Sequence, residues 1–196
     1  MSGHMSSTSF EVPRRSLSGR RPEMVTRLLD AAVTETQAHG FAGLTVRNVA
    51  RLAGVSVATA YTYFASKEHL LTEVFWRRLS TLPPLECPPS WPLGQRVEAA
   101  VEPIALLVAD EPELARGVTT AMLAHDPDVT VLRNQIGVLM SKRLGSALGP
   151  TFPEAGQLAL TMALAGSMLS AGMGVVEYRS VPKLLAGFAE LIGEGR

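Results

Sequence analysis

The stretch TVRNVARLAGVSVATAYTYFASK, residues 45–67, decides how the rest of the chain is read. Thr45 offers a hydroxyl suited to a helix N-cap, and Val49, Ala50 and Ala53 then recur at helical spacing on one face. Gly54 follows where that helix must stop and the chain must turn, since glycine enters positive φ without a Cβ clash. Val55 is placed to plug the angle between two helices, and Ser56 to cap a second one running from about Val57 to Phe64. Ala50 is small enough for the second helix to cross closely over the first. Two short helices meeting at such a turn form a helix-turn-helix, whose second helix enters a DNA major groove.

The stretch closes on Tyr61 to Lys67, YTYFASK, and continues into EHLL. Working outward, the matching residues are Gly40, Phe41, Thr45, Arg47, Val49, Ala50, Ala53, Gly54, Val55, Ser56, Thr59, Tyr61, Tyr63, Phe64, Ser66, Lys67, Glu68, Leu70 and Leu71. In this register, over roughly residues 22–75, the chain resembles the TetR family of one-component transcriptional regulators. Its one main departure is Ala60, where a larger aliphatic residue is usual; this lightens the packing without touching the DNA-reading face. The resemblance implies an all-α protein of about nine helices, with an N-terminal three-helix DNA-binding domain and a larger helical ligand-binding and dimerisation domain.

Composition agrees with a two-part molecule. The 196 residues carry no net charge, yet residues 1–82 hold ten Lys/Arg against six Asp/Glu, and residues 83–196 hold eight against twelve. A surplus of four positive charges thus faces a deficit of four, which suits a basic reading head on an acidic body. A single cysteine, Cys87, excludes an intrachain disulfide framework and fits a reducing cytoplasm; whether it has a redox role stays open. No secretory h-region opens the chain, so a cytoplasmic location is expected. Residues 155–176 form a 22-residue run without a charge, long enough to raise the question of a membrane span. Its Gly, Ser, Thr and Gln content and its lack of flanking anchors favour a helix buried at a subunit interface, and no membrane partner is expected.

In chain order, residues 1–21 read as a polar, Arg-bearing arm, with Met1 to Met5 a cloning remnant. Arg14, Arg15, Arg20 and Arg21 stand either as a phosphate-tracking or minor-groove arm or as a solvated tail. Residues 22–66 make the DNA-binding domain, with a first helix from Pro22 stopped at Gly40, and Phe41 and Leu44 packing beneath the helix-turn-helix. Residues 67–82 make a connecting helix capped by Ser66, lined by Leu70, Leu71, Val74, Phe75 and Leu79. Five prolines mark residues 83–92 as a stiff linker and the domain boundary. The remainder, 93–196, reads as five helices: from about Leu93 to Ala109, from an Asp110 cap with Glu113 to about Ala124, from an Asp126 cap to Leu148, from Pro153 to about Tyr178, and a last one opened by Ser180 and Pro182.

The site expectations follow. Thr45, Val46 and Arg47 start the first helix of the motif near a DNA backbone, and Arg47 has the reach for a guanine edge. Ser56, Val57, Ala58 and Thr59 open the recognition helix. The resemblance turns Tyr61, Thr62 and Tyr63 towards the groove and flanking phosphates, while Phe64 reads as core. Lys67, at a helix N-terminus, adds charge where backbone amides already favour a phosphate. Because the recognition helix carries no Arg, Lys, Asn or Gln before Lys67, direct base readout is sparse and DNA shape carries weight.

A dimer face is expected on the last two long helices, through Leu158, Met162, Ala165, Leu169, Met173, Leu184, Phe188 and Leu191; the alternative is that these helices form an intrachain core. A pocket for a lipophilic effector is expected among Leu106, Val118, Thr119, Met122, Leu123, His125, Gln135, Ile136, Met140, Leu144, Met162 and Met168, where plain core packing is the competing reading of each methionine. His125, Asp126 and Asp128 do not make a metal site, since Asp126 is committed to a cap and no second histidine stands at ligand spacing. His39 and His69 pair with no nucleophile motif, so no catalytic residue, cofactor or metal is expected. The resulting expectation is a homodimeric repressor that reads a palindromic double-stranded DNA operator and is released by a small lipophilic effector. The alternative is an effector-independent activator or architectural DNA-binding protein, which a fully packed body without a cavity would favour.

Overall fold

Three hydroxyls set the helix starts in the N-terminal region. Thr45 Oγ1 accepts the Asn48 amide at 3.1 Å, Ser56 Oγ the Thr59 amide at 3.1 Å, and Ser66 Oγ the His69 amide at 3.0 Å. Each satisfies an amide that the helix itself leaves without a partner. These caps open α2 (Val46–Leu52), α3 (Val57–Tyr63) and α4 (Lys67–Ser80), behind α1 (Arg21–Gly43), which breaks from helical geometry at Gly40. The turn between α2 and α3 is a Schellman motif: Gly54 has φ of 64°, its amide bonds Arg51 O at 3.2 Å, and the Val55 amide reaches back to Ala50 O at 2.9 Å. A side chain at Gly54 would strain that backbone, so the sharp turn depends on this residue.

The computed structural model describes residues 21–194; the expected basic arm from Met1 to Arg20 and the Arg21 side chain lie outside the described residues. Among those residues the protein is all-α, with nine α-helices, one short 3-10 helix and no strand. Leu28, Ala32, Leu44, Val49, Ala50, Ala60 and Phe64 form the buried centre beneath the helix-turn-helix. On α4, Leu70, Leu71, Val74, Phe75 and Leu79 are buried, and the helix packs on α1 behind it and on α6 and α7 ahead.

Residues 81–92 form no helix. Arg143 of α7 holds this segment to the body, donating from Nη1 to Pro83 O at 2.7 Å and from Nε to Ala100 O at 2.9 Å. The body comprises α5 (Leu93–Leu106), α6 (Pro112–Met122), α7 (Pro127–Leu148), α8 (Glu154–Gly172), the 3-10 helix Tyr178–Ser180 and α9 (Val181–Glu194). Buried Gly94 on α5 abuts Ala186 and Glu190, which lets α5 and α9 lie close along their length.

Several boundaries differ from those expected of the sequence. Helix α5 ends at Leu106 rather than near Ala109, and Asp110 does not cap α6. Pro112 disfavours helical geometry at the residue before it, so Glu111 takes the N-cap position in non-helical backbone without a side-chain cap. Asp110 instead accepts from Arg179 Nη2 at 2.7 Å. Helix α8 stops at Gly172, short of Tyr178, because a second Schellman motif closes it: Gly174 has φ of 77°, and the Gly174 and Val175 amides bond Ala171 O and Ser170 O. The uncharged run is therefore a helix, a tight turn and the approach to another helix. No helix among the described residues is long and apolar enough to cross a membrane. Nor are its small residues all at an outer surface: Gly156 is buried against Phe152 and Ile192, and Gly172 against Thr119 of α6.

Candidate nucleic-acid interface and ligand cavity

Helix α3 presents Val57, Ala58, Tyr61 and Thr62 to solvent, with Thr59 half-buried and Phe64 turned into the core. Tyr61 stands out: a large aromatic side chain left 52% exposed on a helix of seven residues. Tyr63 is half-buried and packs on the core. The aliphatic hydroxyls on this face are already engaged, Ser56 with Thr59 at 2.7 Å and Thr62 donating to Ala58 O at 3.1 Å. On α2, Arg47 is exposed beside the cap Thr45, whereas Val46 turns inward and is buried. Arg51, absent from the sequence-derived set, is exposed on the last turn of α2, 3.9 Å from the buried Glu35 carboxylate.

Lys67 is placed differently from a free phosphate ligand. Its ammonium donates to Phe41 O at 2.9 Å and lies 4.2 Å from the Phe41 ring centre, so it fastens the start of α4 to the end of α1.

Two ties join this head to the body. At the first, Ser66, the cap of α4, donates to Asp126 Oδ2 at 2.7 Å, while Asp126 Oδ1 caps α7 through the Asp128 and Val129 amides. His69 closes the same corner, 3.6 Å from Asp128 and edge-on to the Phe64 ring. Burial alone would push the Asp126 carboxyl up. The Ser66 hydroxyl, the two amides and the nearby His69 outweigh it and hold the carboxyl below its ordinary value of 3.8. A depressed carboxyl contributes stability that is complete above the ordinary carboxylate range and fades as pH falls through the lowered value. Asp126→Ala is therefore expected to cost about 1–2 kcal/mol at pH 7 through the lost cap and tie. In urea melts the gap between variant and wild type should narrow towards pH 3; a gap unchanged with pH contradicts the assignment.

The second tie runs through α6. Glu111 pairs with Arg78 of α4 and accepts from Gln37 Nε2 of α1 at 2.7 Å, and Arg78 also donates to Leu107 O at 2.7 Å. Gly117 sits where α6 meets both helices: a Cβ there would lie 2.9 Å from Leu71 Cδ1 and 3.2 Å from Thr36 Cγ2.

The opposite face of α6 walls a cavity of about 320 Å³, within the size range of small-ligand sites. Of the residues expected to line a pocket, Val118, Thr119, Met122, Leu123, Ile136, Met140 and Met168 do so. Leu144 is core, Leu106 and His125 are exposed, Gln135 faces a separate groove with Trp76, and Met162 is 65% exposed on the outer side of α8. Phe75, Val108, Arg133, Gly137 and Tyr178 complete the lining, together with Ala165 and Leu169, which the sequence had suggested for a dimer face. Tyr178 arrives because α8 ends early and the 3-10 helix folds back. Burial raises its phenol above the ordinary value, against the lowering effect of its hydrogen bond with Thr119.

The remaining dimer-face candidates lie on α8, at its C-cap and on α9. Leu158, Met162, Met173, Leu184, Phe188 and Leu191 are all exposed, Ala165 is exposed beside them, and Leu169 is partly buried at the cavity.

Comparison with known proteins fits this arrangement. Residues 28–74 match the family model described as bacterial regulatory proteins, tetR family. The chain is 36% identical over 182 residues to an uncharacterized HTH-type transcriptional regulator of Mycobacterium tuberculosis, Rv0767c, covering 92% of this chain and 85% of that one. It is 28% identical over 178 residues to the HTH-type transcriptional repressor KstR of Rhodococcus jostii, covering 90% and 84% of the two chains. Its fold superposes on the crystal structure of a TetR transcriptional regulator from Rhodococcus sp. RHA1 with a TM-score of 0.73, at 18% identity and over 89% and 97% of the two chains. With its helix-turn-helix, its helical body and these relatives taken together, the chain belongs to the tetR family of bacterial transcriptional regulators.

Proposed function

We propose that this regulator is a repressor that binds a palindromic DNA operator as a homodimer and is released by a small lipophilic effector. Residues 22–66 act as the reading head, α4 as the connecting helix, and residues 93–196 as the effector-binding and dimerisation body. The observation that carries the reading is the two-sided role of α6. One face walls the apolar cavity through Val118, Thr119 and Met122, and the other seats Gly117 and Glu111 against α1 and α4. A ligand that prefers one position of α6 shifts the population of head positions by the difference in its affinity for the two states. Two heads must present α3 to successive major grooves about 34–36 Å apart, so a small tilt of α4 is enough to misplace them. The cavity favours this over the effector-independent alternative, which calls for a closed body.

The head is tested by Tyr61→Ala. Tyr61 is no part of the buried core, so operator affinity should fall at least about tenfold, near 1.4 kcal/mol, with the melting temperature little changed. Lys67→Ala should instead lower the melting temperature, since its ammonium holds Phe41 O. Unaltered affinity in Tyr61→Ala would remove α3 from the DNA interface.

A further inference from the structure

Among the described residues Arg133 is the one charged residue lining the cavity, and it lies at the exposed rim next to Leu123. Its guanidinium is spent only on neutral oxygens. Nη1 donates to Met122 O at 2.5 Å and to Ala124 O at 3.4 Å, and Nη2 to Thr130 Oγ1 at 3.1 Å. Arg116 and Arg179 hold the carboxylates of Glu113 and Asp110 instead, and Arg143, which also bonds carbonyls, lies away from the cavity lining. A guanidinium has five N–H donors, so two remain for a ligand, and its full charge is balanced by no lining carboxylate. Deeper in, the Thr119 hydroxyl spends its proton on Ala115 O at 2.8 Å, and the other lining side chains apart from Arg133 and Tyr178 are apolar. The interior therefore asks for an apolar body, and the rim asks for an anion.

We infer that the effector is an amphiphilic carboxylate, with its apolar body in the cavity and its carboxylate held by Arg133. This rests on the reading of the cavity as the effector site and narrows the chemical class it takes. Charge-assisted hydrogen bonds from a guanidinium to a carboxylate are about twice as strong as neutral ones, so the head group, not the chain, sets the preference. Met122, whose carbonyl now holds Arg133, is the last residue of α6, so capture of the guanidinium acts directly on the helix that seats the head.

The experiment compares decanoic acid with decanamide, matched in length and differing in charge, by titration calorimetry against the full chain at pH 7. The wild type should bind the acid at least tenfold more tightly than the amide. In Arg133→Gln, whose amide can still bond the α6 carbonyls, that preference should vanish while decanamide binding stays within twofold. Equal binding of acid and amide to the wild type overturns the inference and leaves the effector cavity standing, a result that needs no variant to fold. A preference for the acid that survives Arg133→Gln also overturns it. Binding of neither probe overturns the cavity as a lipophilic effector site, and the inference falls with it.

Discussion

Introducing Leu184→Glu together with Phe188→Glu is expected to turn a dimer into a monomer and to reduce operator affinity at least about a hundredfold. Leu184, Phe188 and Leu191 recur on α9 at the spacing of one helical face, and all three are exposed, Leu191 at 69%. On α8, which packs against α9, Leu158 and Met162 are exposed too, as is Met173 at its C-cap. Exposed large apolar side chains gathered on two packed helices mark an interface, and burial of each is worth about 1.5–3 kcal/mol. In a two-fold interface every substitution counts twice, so the double variant places four carboxylates in one apolar seam. An unpaired charge taken out of water costs several kcal/mol, which exceeds what the remaining contacts return. Neither residue is core within the protomer, so helix content should persist. The readouts are light scattering for mass and DNA titration at fixed protein concentration. A dimer of unchanged stability would move the interface elsewhere.

Gly117→Leu is the second large effect expected. The contact with Leu71 is with the far end of a side chain that can swing, but Thr36 is fully buried and its hydroxyl is tied to Ala32 O at 2.7 Å. Overfilling such a site typically costs about 1–3 kcal/mol. The added bulk also wedges α6 away from α1 and α4, the motion assigned to the effector. Thermal melts should show the lost stability, and operator affinity should fall about tenfold in protein that remains folded at the assay temperature. Full affinity in folded Gly117→Leu would show that the α6 seat does not govern the heads.

The features legible in the sequence are those settled by neighbours a few residues apart. Thr45, Ser56, Ser66 and Asp126 cap helices in the structure because a cap needs only an oxygen and amides two or three residues on. Gly54 is legible for the same reason, and the family resemblance rested on that local grammar. Gly174 carries an equal signal, but it lies within an uncharged run whose composition gives no contrast, so the pattern reads as helix through it to Tyr178. Asp110 looked like a cap by composition, yet Pro112 fixed the start of α6 one residue later, at Glu111. The cavity was harder. Met140 and Leu144 lie one turn apart on α7, and their spacing cannot say that one meets open volume and the other solid core. That depends on how far α8 stands off, which Gly172 against Thr119 sets at one end. Arg133 is not legible as a lining residue because apolar periodicity marks no charged position, although an arginine bordering such a surface is where a ligand's polar end would be met. Lys67 shows the opposite difficulty: its position suits a phosphate, and only the folded chain reveals Phe41 as its partner.

The measurement that reaches the centre of this account is a titration of the full chain onto the DNA immediately upstream of its own gene, at several salt concentrations, with the protein-to-site ratio determined. The account predicts binding in multiples of two chains per site, with log affinity falling linearly against log salt as phosphate contacts release counterions. One chain per site, or no retention of that DNA by protein stripped of bound small molecules, would contradict it.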